Sequence, residues 1–369
     1  MSRLTVLALV ALLAACAPVG AAVVTPVLST KATPLAAVTA TPETRPNSSP
    51  AGTPSPSASA GATAARETAT ASRNAVPPPT TPPSAGSPLI AGCAVLPANN
   101  VWNRDVSSLP VHPRSASWLA STSASTVKLH PDFGAYPYGY QLQLVDRSTP
   151  RVAVSFYYPD ESDAGPYPLT AATPIEPGSD HHAFMLDKDT CVLYELYDVA
   201  WNAGRPTAGS GAIFDLRTNA LRPAGWTSAD AAGLPIIPGV LRYDEVASGV
   251  VKHAIRFTVR RTDRSYLWPA RHQAGAASDP SLPPMGARFR LKANVDISRF
   301  GVQAQVILRA MQRYGLIVAD NGSDWFYQGT TDGRWTDALL SELKSVPASW
   351  FEAVDESSLM LDPNSGASR

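Results

Sequence analysis

Two histidines mark the ends of the stretch HAIRFTVRRTDRSYLWPARH, which runs from His253 to His272. Its two apolar runs flank a short polar segment, a pattern typical of a β-hairpin. A two- or four-residue loop places Phe257 opposite Trp268 and His253 opposite His272, whereas a three- or five-residue loop separates the histidines. Facing imidazoles would share a metal ion, or one would act as a base that the other orients. A structural pair under an aromatic face is the alternative.

A second candidate pair lies in HHAFMLDKDTCVLYELYD, residues 181–198. A hairpin turning at Lys188-Asp189 places His182 opposite Glu195. A neighbouring carboxylate raises the pKa of an imidazole and orients its ring, which suits general acid–base catalysis. A satisfied polar pair at the end of a core strand is the structural alternative. The two hairpins together supply the predicted catalytic set, which is His182, Glu195, His253, His272 and Arg271.

Aromatic side chains supply the predicted substrate-binding surface. Tyr136 and Tyr138 lie in the loop DFGAYPYGY, and Trp268 lies in the first hairpin. The apolar faces of such side chains commonly stack on sugar rings, although loop aromatics also serve as lids over a core. Arg288, in the alternating segment GARFRLKANVD, completes this set as a substrate-binding cation. Ordinary solvated surface is the alternative for Arg288.

Other chemistry lacks a motif in the sequence. No HExxH and no close Cys/His cluster provides third and fourth metal ligands, so neither a metal nor a cofactor is assigned. No GxSxG nucleophile elbow and no phosphate-binding loop occurs. Hydrolysis of a glycosidic bond needs two carboxylates, for which the sequence offers Glu195 together with Asp198 or Asp132. The chain has 30 basic and 30 acidic residues, and this balance gives nucleic-acid binding no electrostatic support.

The N-terminus predicts export. Arg3 precedes an apolar run and small residues, as in a secretory signal peptide over residues 1–15. The sequence LAAC at its end resembles the lipobox of bacterial lipoproteins, which implies that Cys16 becomes the first residue and carries a membrane-anchoring lipid. An ordinary signal peptide with a chance cysteine is the alternative. Residues 16–90 are rich in Ala, Pro, Ser and Thr, a composition that predicts a disordered stalk.

The two remaining cysteines also indicate an extracytoplasmic location. Cys93 and Cys191 are expected to form a disulfide there, with two buried free thiols as the alternative. The bridge would close a loop of roughly 100 residues, which the chain-entropy model equates with about 4–5 kcal/mol before strain.

Periodicity predicts a mainly β fold for residues 91–369, which are numerous enough for one large domain. Strands are expected at 141–146, 151–158, 211–216, 240–246, 286–296 and 316–320, the first two forming a hairpin. Helices are expected at 227–233, 302–315 and 335–346. Many short strands with two or three peripheral helices predict a β-sandwich that is jelly-roll-like.

Three segments resemble a group of predicted extracellular bacterial proteins. They are QAQVILRAMQRYGLIVADNGSDWFYQGT, GWTSADAAGLPIIPGVLRYDEV and YLWPARH. The resemblance spans most of residues 91–369 and implies a single coherent domain. It carries over no functional residue.

These features favour a surface-anchored lipoprotein with an extracellular carbohydrate-interacting domain. Its catalytic form would cleave a polysaccharide. A lyase would use His or Tyr as base and Arg to neutralise a uronate, whereas a glycosidase would use paired carboxylates. The first alternative is a non-catalytic surface module that binds a glycan or a protein, which the absence of a sharp motif favours. The second is a metal-binding lipoprotein, which requires His253 and His272 to meet near His182.

Overall fold

The computed structural model describes residues 86–369. The predicted signal peptide, Cys16 and most of the predicted stalk lie outside the described residues. The first strand, β1 (Leu89–Ile90), pairs antiparallel with β2 (Cys93–Ala94), so β structure begins within the last residues assigned to the stalk. Among the helices of residues 86–369, none combines the length and the apolar character that crossing a bilayer requires.

The larger of two main sheets has six strands. Their spatial order is β14 (Phe351–Val354), β11 (Arg288–Leu291), β12 (Leu316–Asn321), β10 (Ile255–Val259), β13 (Phe326–Gln328) and β3 (His130–Asp132). The pairs β10–β12 and β13–β3 are parallel, and the other neighbours are antiparallel. Because parallel neighbours require long connections, most contacts in this sheet join distant parts of the chain.

The second main sheet has four strands, in the order β4 (Leu142–Val145), β6 (Ala183–Asp187), β7 (Val192–Tyr197) and β9 (Ser210–Asp215). β4 runs parallel to β6, and the other pairs are antiparallel. A separate parallel pair joins β5 (Ser155–Phe156) to β8 (Thr207–Ala208). The predicted hairpin between residues 141–146 and 151–158 is therefore wrong, because β4 pairs with β6 instead. The mainly β prediction is confirmed.

Four α-helices occur within residues 86–369, namely α1 (Ser115–Ser121), α2 (Tyr243–Ala247), α3 (Val302–Arg313) and α4 (Asp337–Leu343). The predictions of α3 and α4 are confirmed. α4 begins at the N-cap Thr336, whose hydroxyl accepts a hydrogen bond from the Leu339 amide at 3.2 Å. α3 ends before Gly315, which has a φ of +72°.

Two predicted elements are absent from the described residues. The expected strand at 240–246 is wrong because the chain turns into α2 after Arg242. The expected helix at 227–233 is wrong because Ser228 and Asp230 bond each other locally and close a compact loop. In this loop the Asp230 amide donates to Ser228 Oγ at 3.0 Å. Such side-chain bonds to nearby backbone compete with helical ones.

The four-stranded sheet is covered on both faces. Phe184 and Leu186 of β6 belong to the main hydrophobic core, together with side chains of β10, β11 and β12. Ala183 and Met185, which alternate with them, belong to a smaller apolar cluster. Alternate side chains of β6 therefore pack into two different cores on the two faces of the sheet. The main core lies between this sheet and the six-stranded sheet.

Both faces of β11 are also covered, so Arg288 is not the solvated surface residue that the sequence suggested as the alternative to substrate binding. Arg288 is buried, and its Nη1 lies 3.0 Å from Glu356 Oε2. Arg290 is buried as well, and it pairs with Glu352 on the neighbouring strand at 2.8 Å. Both arginines on this face of β11 form ion pairs. They also donate hydrogen bonds to backbone carbonyl groups of the chain segment that covers the face.

The predicted disulfide is confirmed. Cys93 and Cys191 are bonded, with their Cα atoms 5.4 Å apart. Cys191 is the last residue of the turn between β6 and β7, so the bridge ties β2 to that hairpin.

Candidate functional site

An acidic cleft is the candidate site. We define it by four carboxylates, Asp132, Glu176, Asp180 and Asp320. It has two adjoining parts, of about 500 and 340 Å³, which share Asp180, Asp320 and Asn321 in their walls. Both parts have the size of a typical ligand pocket.

Arg256, on β10, forms the floor of the acidic cleft and is only 2% exposed. Its Nε and Nη2 lie 3.2 and 2.9 Å from Asp230 Oδ2. Its Nη1 donates to the Tyr140 hydroxyl at 3.1 Å and to Gln328 Oε1 at 2.8 Å. Burial opposes the charge, but the surrounding acidic groups outweigh it and raise the pKa of Arg256. Arg256 therefore stays charged, and its N–H donors are used in hydrogen bonds within the protein.

A β-bulge brings Asp320 into the cleft. The register of β12 against β10 skips Ala319, so that Asp320 lies opposite Thr258. Side chains alternate along a strand, and an inserted residue reverses that alternation. If Ala319 were instead paired in a regular register, it would lie opposite Thr258 and Asp320 would lie opposite Val259, a residue of the main core. With the bulge, Asp320 shares a face with Arg256, and its Oδ2 lies 3.9 Å from Arg256 Nη2.

The same bulge holds the loop that carries Asp230. The Ala232 amide donates to the Ala319 carbonyl at 3.0 Å. Gly233 has a φ of +69°, and a Cβ atom there would lie 2.3 Å from the Trp226 carbonyl oxygen, so this turn requires glycine. This loop is not part of the sheet, and it places the Asp230 carboxylate next to the Arg256 guanidinium.

His182 positions Glu176. Its Nδ1 lies 2.6 Å from Glu176 Oε2, and its Nε2 lies 3.0 Å from the Ala229 carbonyl. Two acceptors on one ring require both nitrogens to carry protons, which describes an imidazolium. Burial disfavours the charge, but Glu176 outweighs it and raises the pKa of His182. His182, predicted as a general acid–base residue opposite Glu195, is instead paired with Glu176 and the Ala229 carbonyl, and both of its ring nitrogens are engaged there.

The His182–Glu176 pair should make stability depend on pH. A histidine whose pKa is higher in the folded state than in the unfolded state stabilises the fold. This stabilisation is complete below the unfolded pKa of about 6.5, and it is lost as the pH rises through the folded pKa. We expect His182→Gln to lower the free energy of unfolding by about 2 kcal/mol near pH 6 and by less at pH 9. Urea unfolding at both pH values measures the difference. Glu176→Gln removes the same pair, so a cost that is independent of pH in both variants contradicts the assignment.

Asp132 and Glu176 have opposite pKa shifts within one cleft. Asp132 lies at the carboxyl end of β3 and is exposed at the cleft surface, where partial desolvation of its carboxyl raises its pKa. The pKa of Glu176 is lowered instead, because its hydrogen bonds with His182 outweigh the effect of burial. Within residues 86–369, no hydrogen-bond donor contacts the Asp132 carboxylate. Asp132 is thus available to a ligand, and the sequence had offered it as a candidate carboxylate.

Aromatic side chains surround the opening of the cleft. Tyr138 and Phe326 line the larger part, and Tyr158 and Tyr197 line the smaller part. Tyr138 is 65% exposed and free to contact a ligand. Tyr136 is equally exposed but does not line the cleft.

Glu195 is a structural residue. The β6–β7 hairpin is confirmed, but its register differs from the predicted one by two residues, and Glu195 lies opposite Phe184 instead of His182. The carboxylate is buried and accepts from the Ile236 and Ile237 amides at 2.8 Å. Burial raises the pKa of Glu195 to about 7. Glu195 therefore fixes the segment after the Asp230 loop and is closed to substrate. Asp198, the other candidate carboxylate, contacts His181 at 3.4 Å.

The predicted hairpin between His253 and His272 is wrong. β10 pairs with β12 and β13, and the residues after it form no strand with β10. The fully buried His253 donates from Nδ1 to the Ala254 carbonyl at 2.7 Å, and its Nε2 lies 3.1 Å from Glu245. His272 Nδ1 lies 2.9 Å from the Ala231 carbonyl. The structure gives each histidine separate structural partners, so the metal site that required their meeting has no basis.

The remaining predicted residues, Arg271, Trp268 and Arg288, line a second cavity of about 410 Å³. Arg271 and Arg288 are buried, and Trp268 is partly exposed. These side chains are separate from the residues of the acidic cleft. The predicted catalytic role of Arg271 beside the histidines therefore has no geometric support.

Residues 86–369 contain no group of three His, Cys, Asp or Glu side chains arranged to bind a metal ion. Comparison of the chain with protein-family models, curated proteins and solved structures finds no match. The chemistry of the acidic cleft is therefore the basis for assigning function.

Proposed function

We propose that the acidic cleft binds a glycan and hydrolyses a glycosidic bond. The observation that carries this proposal is that Asp132 and Glu176 line one cleft in different environments: Glu176 is bonded to His182 at 2.6 Å and has a lowered pKa, whereas Asp132 has no such partner and a raised pKa. Glycoside hydrolysis uses one carboxyl group as an acid and a second, ionised one as a base or nucleophile. Environments that shift two such groups in opposite directions define these roles.

In this proposal Asp132 protonates the leaving oxygen. Glu176 remains ionised beside the His182 imidazolium and acts as base or nucleophile. Asp180 and Asp320 accept hydrogen bonds from sugar hydroxyls, and Tyr138 and Phe326 stack on the rings. Arg256 and His182 hold the carboxylates in place and do not contact the substrate.

The charge of the cleft favours hydrolysis of a neutral glycan over elimination from a uronate. Elimination requires a cation that neutralises the substrate carboxylate. The buried Arg256 already serves Asp230, Tyr140 and Gln328. A uronate would instead meet the cleft carboxylates, and like charges at close range are costly.

We further propose that the chain is exported and lipid-anchored through Cys16 at the cell surface. The Cys93–Cys191 disulfide supports export, because such bonds persist in oxidising compartments. We also propose that the two main sheets form the layers of a sandwich, which the main core between them supports. The antiparallel connections of a jelly roll fit less well, since each main sheet contains a parallel pair.

A non-catalytic glycan-binding module is the second candidate. Its support is a set of exposed tyrosines, Tyr136, Tyr138, Tyr157 and Tyr158, two of which line the cleft. Exposed aromatic rings of this kind provide contact area for sugars without needing catalytic groups.

A polysaccharide panel separates the candidates. The full-length chain is incubated with neutral β-glucan, xylan and mannan, and with pectate and alginate. Hydrolysis predicts new reducing ends from a neutral polymer without the absorbance of unsaturated uronates. That absorbance from pectate or alginate would contradict hydrolysis and restore the lyase hypothesis. Retained binding to a neutral glycan without any product would favour the binding module.

A further inference from the structure

One buried side chain of the acidic cleft keeps a donor without an acceptor. Gln328, at the end of β13, lines the larger part of the cleft and is only 6% exposed. Its Oε1 accepts from Arg256 Nη1 at 2.8 Å, and because a guanidinium only donates, the atom facing Arg256 must be the amide oxygen. The Gln328 NH₂ group has no acceptor within residues 86–369. Its nitrogen is not fully enclosed, so a ligand in the cleft can reach it.

The strand register places this amide beside the proposed acid. β13 and β3 are parallel, and Gln328 is paired with Asp132. Neighbouring strands lie about 4.8 Å apart, and paired residues have their side chains on the same face of a sheet. Tyr327, the preceding residue, points to the other face and belongs to the main core. The Gln328 amide and the Asp132 carboxyl are therefore neighbours in the wall of one cleft.

The groups around Gln328 indicate which ligand atom it contacts. Thr258, another buried side chain of the cleft, already donates from its hydroxyl to the Ser323 carbonyl at 2.7 Å. The four carboxylates that define the cleft only accept hydrogen bonds when they are ionised. A ligand group at this place must therefore accept from the Gln328 NH₂ and donate to a carboxylate. A hydroxyl does both, whereas a carbonyl or ether oxygen only accepts.

We propose that Gln328 determines specificity in the cleft by donating to a ring hydroxyl of the sugar that is bound beside Asp132. The same hydroxyl donates to a cleft carboxylate. A sugar without this hydroxyl leaves both groups unpaired, and sites built on such bonds reject the incomplete ligand. This inference rests on the proposed binding of a neutral glycan, and it names the group that is recognised. It does not require cleavage of the glycosidic bond.

Hexasaccharide titrations test the donor. A full-length Cys16→Ser chain, which cannot be lipidated, is titrated with cellohexaose, xylohexaose and mannohexaose, and we expect at least one of them to bind. Gln328→Met removes the NH₂ group at similar side-chain length and should raise the Kd of that hexasaccharide about tenfold. Tyr327→Phe, on the same strand, removes a buried hydroxyl that has no partner within residues 86–369 and should leave the Kd unchanged. An unchanged Kd in Gln328→Met would overturn the proposal.

Two further variants separate a contact with the sugar from an effect through Arg256. Tyr140→Phe removes the other acceptor of Arg256 Nη1, and it should raise the Kd by less than about threefold. A loss equal to that of Gln328→Met would contradict a direct contact. Gln328→Glu keeps an acceptor for Arg256, and a sugar hydroxyl can rotate to donate to the new carboxylate, so the Kd should stay within about threefold of the parent value. A rise of about tenfold in Gln328→Glu would exclude a hydroxyl even if Gln328→Met does not fold.

The Kd values and the release of reducing ends test different claims. If reducing ends are released but Gln328→Met binds as the parent chain does, the role of Gln328 is wrong and hydrolysis stands. If Gln328→Met weakens binding and no reducing ends appear, Gln328 contacts the glycan and the proposed hydrolysis is wrong. Failure of all three hexasaccharides to bind would contradict the role of Gln328 whether or not a polymer is cleaved.

Discussion

Asp132→Asn is expected to lower kcat for glycan hydrolysis by about 10²–10⁴-fold, because an amide cannot protonate the leaving oxygen. Glycan affinity should change little, since Asn keeps the shape and one acceptor. The carboxylate makes no hydrogen bond with residues 86–369, so stability should also be retained. Initial rates and binding isotherms on the same neutral glycan measure both quantities.

The pH profile distinguishes an acid from a merely structural residue. In the parent chain, the acidic limb of kcat should report Glu176 and the alkaline limb Asp132. Asp132→Asn should remove the alkaline limb from the residual activity. Asp296→Asn, the same substitution in an exposed turn, is the matched control and should keep both the rate and the profile. An unchanged kcat in Asp132→Asn would exclude this residue as the acid.

Arg256→Met is expected to destabilise the domain by about 3–5 kcal/mol, because it leaves Asp230 as a buried carboxylate without its cation. Asp230 is fully buried, with its nearest cation 2.9 Å away. Tyr140 and Gln328 lose a shared donor as well, and Asp320 loses the cation that lies 3.9 Å away. Urea unfolding at neutral pH measures the loss.

A double-mutant cycle tests whether the loss comes from the unpaired charge. Arg256→Met combined with Asp230→Leu removes both charges and should be more stable than Arg256→Met alone, by about 1–3 kcal/mol. Arg260→Met is the control on the same segment, since Arg260 is 70% exposed and its pairing with Asp324 at 3.5 Å should be worth less than about 1 kcal/mol. Additive costs in the cycle would argue against a coupled pair.

Local patterns in the sequence were sufficient for several elements. The helices predicted at 302–315 and 335–346 correspond to α3 and α4, and the strand predicted at 316–320 corresponds to β12. The β6–β7 hairpin was also predicted, but its register was not. Asp187 accepts from the amides of Asp189 and Thr190, which supports a four-residue turn, and Cys191 adopts a φ of +55°. The two-residue turn assumed from the sequence misses this side-chain contribution.

Non-local pairing explains the larger errors. The stretch from His253 resembles a hairpin, yet β10 bonds to strands that lie more than fifty residues further along the chain. Local alternation does not reveal a partner at that distance. Arg256 lies within this stretch and at the centre of the cleft, but it is not among the site residues predicted from the sequence.

Most of the acidic cleft could not be predicted from the sequence, for the same reason. Glu176 and Asp230 lie on loops that only tertiary contacts bring to Arg256. Asp320 follows the run LIVA, and strict alternation would have placed its side chain in the main core. An acidic residue near the carboxyl end of a buried strand was the available signal, because ligands often bind where parallel strands end.

The bulge at Ala319 has two separable effects on the cleft. It places Asp320 opposite Thr258, and its carbonyl accepts a hydrogen bond from the Ala232 amide of the Asp230 loop. Deleting Ala319 would leave Asp320 directly after Val318 and still opposite Thr258, so the Asp320 side chain would keep facing the cleft. The deletion would, however, remove the carbonyl that holds the Asp230 loop, so a chain that lacks this one residue would keep the Asp320 carboxylate and lose a contact that positions Asp230.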